Sequence, residues 1–288
     1  MSWHHLPEHV RDVVRTHLGP VVAAHPVRAG QSADVASVLG TAAGPDVFLK
    51  AVRGVSKRMR WLRNEITAAP LTGGLAPAVL VAEDVGEWLV VVFEHVPGRA
   101  ANLSPGSPDL PLVAEVVNRI GQRPGSGLKP LRVRWGVTDW WYRLAAEAPD
   151  AVVGWDTDEA VRWASRFPGG AEGDRLAHTD LHGEQFLIEA SVVRVVDWGY
   201  PGCGAAWVDP AFLVLRLVEA GHTPHEAETW ARTHLSHFVD DERLTAFATH
   251  IAGLWGYWAV TGDISGAHGR ARLARDYASW RLALTRGE

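Results

Sequence analysis

The chain has 288 residues, 47% of them hydrophobic and 21% charged, with a net charge of -5. That is enough for one large domain or two lobes of ordinary globular composition, and no long basic run offers a nucleic-acid groove. No apolar stretch approaches the roughly 20 residues needed to span a bilayer, and the polar start MSWHHLPEHVRD lacks a signal-peptide core, so a soluble cytoplasmic protein is expected. A lone cysteine, Cys203, excludes an internal disulfide and any cysteine-cluster metal site.

The first predicted element is a helix from about Pro7 to Leu18, with Val10, Val13, Val14 and Leu18 at helical spacing and Gly19-Pro20 ending it. Strand-like runs follow at about Val21 to Ala29, Asp34 to Leu39 and Val47 to Val52, separated by turn-forming Gly30-Gln31-Ser32 and Ala43-Gly44-Pro45-Asp46. A helix fits Ser56 to Ala68, and two more strands fit Ala78 to Ala82 and Trp88 to His95. Strands joined by tight turns around one helix predict a small antiparallel sheet.

After Pro97-Gly98 and the loop Asn102 to Pro108, helical patterns dominate. They cover about Leu110 to Gly121, Thr138 to Glu147, Thr157 to Phe167, Trp207 to Ala220, Pro224 to Phe238, Asp241 to Val260 and His268 to Thr285. One β hairpin, around Gln185 to Val196, interrupts them. The expectation is an α+β chain with a β-rich N-terminal lobe, residues 1-96, and a mainly helical C-terminal lobe, residues 97-288.

Chemistry concentrates between Leu176 and Asp209. Asp180 follows a short apolar run and a histidine, Gln185 comes five residues later, and Asp197 closes the apolar strand of the hairpin, seventeen residues after Asp180. An acid on a loop followed by an acid at a strand end suits phosphoryl transfer. One carboxylate orients an attacking hydroxyl, and oxygen ligands hold magnesium on nucleotide phosphates. The chain has only three lysines, and one of them, Lys50, sits inside the strand Asp46 to Val52. A buried cation there needs an anionic partner, and Glu65, on the same helix face as Trp61 and Leu62, supplies one. Taken alone, the pattern equally fits an edge-strand lysine reaching water beside a solvated glutamate.

His178-Thr179-Asp180 with Gln185, then Asp197-Trp198-Gly199, resembles the catalytic and metal-binding loops of the aminoglycoside phosphotransferase family, small-molecule kinases with a protein-kinase-like fold. The resemblance implies that Asp180 is the catalytic carboxylate, that Gln185 and Asp197 hold Mg2+, and that Lys50 with Glu65 positions the phosphates of ATP or GTP. It implies that Gly30 and Ser32 belong to a loop covering the nucleotide, although an ordinary hairpin turn reads the same way. It also implies a hinge at Phe93-Glu94-His95-Val96, where Phe93 lines the pocket while the Glu94 carbonyl and the Val96 amide meet the base. His178 is expected to brace the loop, and Asp209-Pro210 fits a helix N-cap, while the family places a loop-bracing aspartate near there. The departure is Gln185, one methylene longer than the family's asparagine.

The implied partner is a small hydroxylated acceptor on the helical lobe: an aminoglycoside or other antibiotic, a sugar, or an amino alcohol. Trp140, Trp141, Trp255 and Trp258 read either as core or as a stacking surface for it. Asp139, Asp156, Asp158 and Glu159 read either as a solvated face or as a lure for a cationic acceptor. Neither nucleic acid nor membrane is an expected partner, and oligomeric state is left open. A nucleotide-binding pseudokinase, motivated by Gln185, is the alternative function, and a helical interaction protein ranks third.

Overall fold

The computed structural model describes residues 2-27, 32-42, 44-262 and 266-287. In chain order the elements are α1 (Glu8–Leu18), β1 (Val21–Pro26), β2 (Val35–Thr41), β3 (Val47–Arg53), α2 (Lys57–Ala68), β4 (Val79–Val85), β5 (Trp88–Glu94), β6 (Arg99–Ala100), α3 (Leu110–Gly121), α4 (Leu131–Arg134), α5 (Trp140–Glu147), α6 (Thr157–Ala164) and α7 (Phe167–Gly170). Then come β7 (Arg175–Ala177), β8 (Phe186–Glu189), β9 (Val192–Val195), β10 (Gly202–Gly204), α8 (Val208–Glu219), α9 (Pro224–His234), α10 (Asp241–Thr261) and α11 (Ala267–Arg286). They form two compact units. The first is Met1–Ala101 with Gly183–Pro201, and the second is Asn102–His182 with Gly202–Glu288. By packing, the β8–β9 hairpin thus groups with the N-terminal strands rather than with the helices that flank it in sequence.

In the first unit five antiparallel strands run in the order β1-β2-β3-β5-β4. The two-residue period of a strand sends alternate side chains to opposite faces. Leu49 and Ala51 of β3, with Val90 and Val92 of β5, pack in one core with Val10 and Val14 of α1. Val52, Val91 and Phe93 pack in a second core with Leu62 and the half-buried Met59 and Ile66 of α2. Lys50 therefore shares the α2 face of the sheet. Ser56 caps α2 by accepting a hydrogen bond from the Met59 amide. A three-stranded sheet, β6-β8-β9, completes the unit.

The second unit is helical, with one two-stranded ladder, β10-β7. Gly253 and Gly256 of α10 let α5 approach, because a Cβ there would stand 2.7 Å from Trp141 and 2.8 Å from Leu144. A buried polar network ties the last three helices. Glu228 of α9 accepts from the Tyr277 hydroxyl at 2.8 Å and from Arg281 at 2.9 Å, both on α11, and Arg281 also reaches Asp241 of α10.

Two predicted helices end early for identifiable reasons. The helix expected to run to Phe238 stops at His234, because Asn118 accepts from the Ser236 amide and donates to the His234 carbonyl. The helix expected to reach Phe167 stops at Ala164. A fresh turn, α7, then starts at Phe167 with Pro168, whose ring cannot continue the preceding ladder. The strands β6, β7 and β10, two or three residues each, are too short to carry a period and were not expected. Among the described residues no helix is long and apolar enough to cross a membrane.

Candidate active site

In the first unit β3, α2 and the turn after β9 converge on one ammonium group. Lys50 Nζ donates to Glu65 Oε1 at 2.8 Å, to Glu65 Oε2 at 2.9 Å and to Asp197 Oδ1 at 2.9 Å. Lys50 and Glu65 are 7% and 5% exposed, so neither charge is satisfied by water. The face of α2 that carries Leu62 into the core also carries Trp61, Asn64 and Glu65 to the turn after β9. The Asn64 amide donates to the Gly199 carbonyl at 2.8 Å, and a Cβ on Gly199 would stand 3.2 Å from that of Trp61. Glycine lets this turn lie close against the helix, and Asp197, two residues earlier, reaches the lysine. Asp197 has φ 63, a left-handed conformation that aspartate tolerates better than most residues.

Burial alone would push the Lys50 ammonium down, but the Glu65 and Asp197 carboxylates outweigh it and hold the group well above its usual value. Burial pushes the Glu65 carboxyl up against the pull of Lys50, and Asp197 adds to the push. Two carboxylates thus share one ammonium.

Gln185 begins the hairpin that ends at Asp197. Phe186 pairs with Val195, and the Val196 amide donates to the Gln185 carbonyl at 2.9 Å, which places Gln185 and Asp197 at the same end of the ladder. Gln185 is 6% exposed, and its Oε1 finds no hydrogen-bond donor. A buried amide oxygen without a donor, at the end of the hairpin that leads into Asp197, fits a hard cation. No group of three or more His, Cys, Asp or Glu forms a metal cage among the described residues. Magnesium takes one or two protein oxygens and fills its shell with water and phosphate.

The other expected nucleotide residues are placed as follows. Phe93 is 6% exposed, and its ring centroid lies 6.0 Å from Lys50 Nζ. Glu94 ends β5 with its amide on the Ala78 carbonyl at 2.8 Å. The half-buried Val96 follows that strand end, and its amide makes no hydrogen bond among the described residues. Ser32 is half-buried in the turn before β2, while Gly30 lies outside the described residues.

In the second unit the segment His178–Asp180 is gripped at each residue. The buried Asp209 carboxylate accepts the His178 amide through Oδ2 and the Thr179 amide through Oδ1, both at 2.8 Å. Burial pushes the Asp209 carboxyl up, against the pull of His178 and of those two amides. Its helix begins at Val208 with Trp207 at the cap, so the expected N-cap role for Asp209 is not observed. The carboxylate faces the loop instead, where two parallel amides satisfy both its oxygens. The fully buried His178 accepts the Asp180 amide on Nδ1 at 3.3 Å. Arg134 of α4 donates to the Thr179 hydroxyl at 3.2 Å. Thr179 has φ 65, a conformation that costs a β-branched residue of order 1–3 kcal/mol and persists only where the surroundings over-determine it. Asp180, 37% exposed, meets Arg216 of α8, whose Nη2 donates to Oδ1 at 3.3 Å.

The sequence pattern did not flag Arg216 or Arg134. A signal for Arg216 existed. It is a single cation inside the apolar run Ala211 to Val218, the same anomaly that marks Lys50. The acidic residues considered as a lure for a cation are all engaged within the fold. Asp139 pairs with Arg143 at 2.9 Å, Asp156 caps α6, Asp158 accepts from the Tyr142 hydroxyl at 2.7 Å, and Glu159 pairs with Arg286. Trp141 is fully buried, with its indole N–H on the Thr249 carbonyl at 2.9 Å, and belongs to the core. Trp140 packs 5.4 Å from the Tyr257 ring, Trp255 lies under Arg216 at 5.6 Å, and Trp258 is 42% exposed.

These two units define an α+β chain of protein-kinase-like fold. It is similar to a thermostable variant of aminoglycoside phosphotransferase APH(4)-Ia in ternary complex with ADP and hygromycin B, with a TM-score of 0.65 and 15% identity over 95% of this chain and 97% of that one. It is similar to choline kinase LicA from Streptococcus pneumoniae, with a TM-score of 0.64 and 14% identity over 95% and 100%. Spectinomycin phosphotransferase APH(9)-Ia in complex with ADP and spectinomycin gives a TM-score of 0.61 and 12% identity over 94% and 93%. No protein-family profile matches the chain, and no curated protein matches it by sequence.

Proposed function

We propose that this chain is a nucleotide-dependent kinase that moves the γ-phosphate of ATP or GTP to a hydroxyl of a small molecule. The observation that carries the reading is the buried Lys50 held by Glu65 and Asp197 within 2.9 Å. A structural ion pair needs one carboxylate; the second puts negative charge where a phosphate-bound cation would sit. Lys50 and Glu65 position the phosphates, Phe93 lines the base pocket, and the Glu94 carbonyl and the Val96 amide meet the base. Gly30 and Ser32 supply the covering turn. Gln185 and Asp197 hold magnesium, which when bound offsets the charge of the phosphate oxygens. Asp180 orients the acceptor hydroxyl for in-line attack, and much of the rate comes from that positioning. The fold neighbours solved with ADP and an antibiotic support the nucleotide and the small acceptor, and fold alone does not choose among aminoglycosides, other antibiotics, sugars and amino alcohols.

The test is transfer of label from γ-labelled ATP or GTP to a panel of hydroxylated amines, sugars and nucleosides. Wild-type transfer that disappears in Asp180→Ala supports the assignment, and transfer retained in that variant refutes it. Glutamine at 185, one methylene longer than the family's asparagine, motivates one second reading, a nucleotide-binding protein without turnover. Magnesium-independent nucleotide binding with no transfer to any acceptor is its signature.

A further inference from the structure

α8 does more than contribute one bracing carboxylate. Asp209 and Arg216 are seven positions apart on it, two turns of an α-helix, so they project from one face about 10 Å apart along the axis. Asp209 grips the amides of residues 178 and 179, and Arg216 grips the carboxylate of residue 180. One rigid helix face therefore addresses three consecutive residues of the loop.

Arg216 is itself locked. It is 5% exposed, its Nη1 donates to Glu219 Oε2 at 2.9 Å, and its guanidinium lies 5.6 Å from the Trp255 ring centroid. A guanidinium clamped by a second carboxylate and an aromatic face presents Nη2 in a fixed direction, while its Nε is buried without a partner among the described residues. Nη2 takes only Oδ1 of Asp180, and Oδ2 makes no hydrogen bond among the described residues. The carboxylate is held by one oxygen and offers the other.

We infer that Arg216 is a positioning residue for phosphoryl transfer, fixing the Asp180 carboxylate through Oδ1 so that Oδ2 faces the acceptor hydroxyl. The inference rests on the kinase reading above. Arg216 acts through Asp180 and touches neither nucleotide nor metal in this role. A carboxylate free to rotate spends much of its time misaligned, and small misplacements of a reacting group cost large factors in rate.

The experiment compares wild type, Arg216→Met and Arg216→Lys in the transfer assay, with nucleotide affinity and thermal midpoint measured on each. Arg216→Met is expected to lower kcat at least tenfold while nucleotide affinity stays within about twofold. Arg216→Lys, which keeps a cation in reach of Oδ1, recovers most of that loss. Glu219→Gln, which loosens the clamp without removing the cation, falls between them. Arg216→Met with wild-type kcat overturns the inference, as does a loss that tracks the fraction unfolded or a lysine variant no better than the methionine. A wild-type chain that transfers phosphate to no acceptor fails the functional reading instead, and the role of Arg216 falls with it.

Discussion

The two units place their carboxylates by different means. In the first, Lys50, Glu65 and Asp197 hold one another: Lys50 and Glu65 are buried, Asp197 is half-buried, and regular elements fix two of the three. In the second, Asp180 sits on a strained loop that regular structure does not shape. The backbone of the two residues before it is held by Asp209, the preceding side chain by Arg134 and the Asp180 carboxylate by Arg216. A charge on a strand or helix is positioned by periodicity. A charge on a loop is positioned by polar anchors that arrive from elsewhere in the sequence. Disturbing the first should therefore cost stability, and disturbing the second should cost rate before stability.

The largest stability effect belongs to the buried cluster. Lys50→Met leaves two carboxylates facing each other without a cation, and should destabilise the protein by about 3–5 kcal/mol in urea denaturation while abolishing nucleotide binding. Adding Glu65→Leu should recover much of the stability and none of the binding, because an apolar pair replaces the stranded acid. A single variant as stable as wild type breaks the contrast at its strongest point.

Acid separates the units next. Burial pushes the His250 imidazole of α10 down to about 4 from an ordinary 6.5, against the pull of the Ala164 carbonyl. Between those values the unfolded chain binds the proton and the folded chain does not. The contribution to stability is thus fully present above about 6.5 and is lost as pH falls through about 4, a loss of about 3 kcal/mol. His250→Leu should flatten that slope. The Glu65 carboxyl, raised by burial from 4.5, has the opposite sign: its contribution is present below that ordinary value and is lost as pH rises toward the folded one. Denaturation of wild type and His250→Leu at several pH values reads both, and an unchanged slope in the variant breaks the assignment to His250.

The same difference decides what the sequence made legible. The Lys50–Glu65 contact follows from a lysine in an apolar strand and a glutamate on the helix face that also carries Leu62. The strands of the five-stranded sheet and most helices follow from period alone. Asp197 was visible as an acid at a strand end, but its approach to Lys50 depends on Gly199 lying against Trp61, a contact across 138 residues of chain. Arg216 and Arg134 were not visible as loop anchors, because their partners lie 36 and 45 residues away and no local period links them. The family resemblance placed a bracing aspartate near residue 209. The local N-cap pattern suggested a different job, and the two backbone amides decided between them.

On the loop itself, Asp209→Asn keeps one acceptor oxygen and turns an NH2 toward the second amide. The stranded buried donor should cost about 2 kcal/mol, with a larger fractional fall in kcat than in stability. The smallest effect tests the backbone directly. At an ordinary loop position alanine is more stable than glycine, because glycine has more freedom to lose on folding. At residue 179, with φ 65, the order should reverse. Both variants lose the Arg134 hydrogen bond, so their difference reports the backbone alone. Thr179→Gly should exceed Thr179→Ala by about 1 kcal/mol in denaturant unfolding. If alanine is the more stable of the two, the loop is not held in the left-handed conformation, and the anchoring by Asp209 and Arg134 loses its purpose.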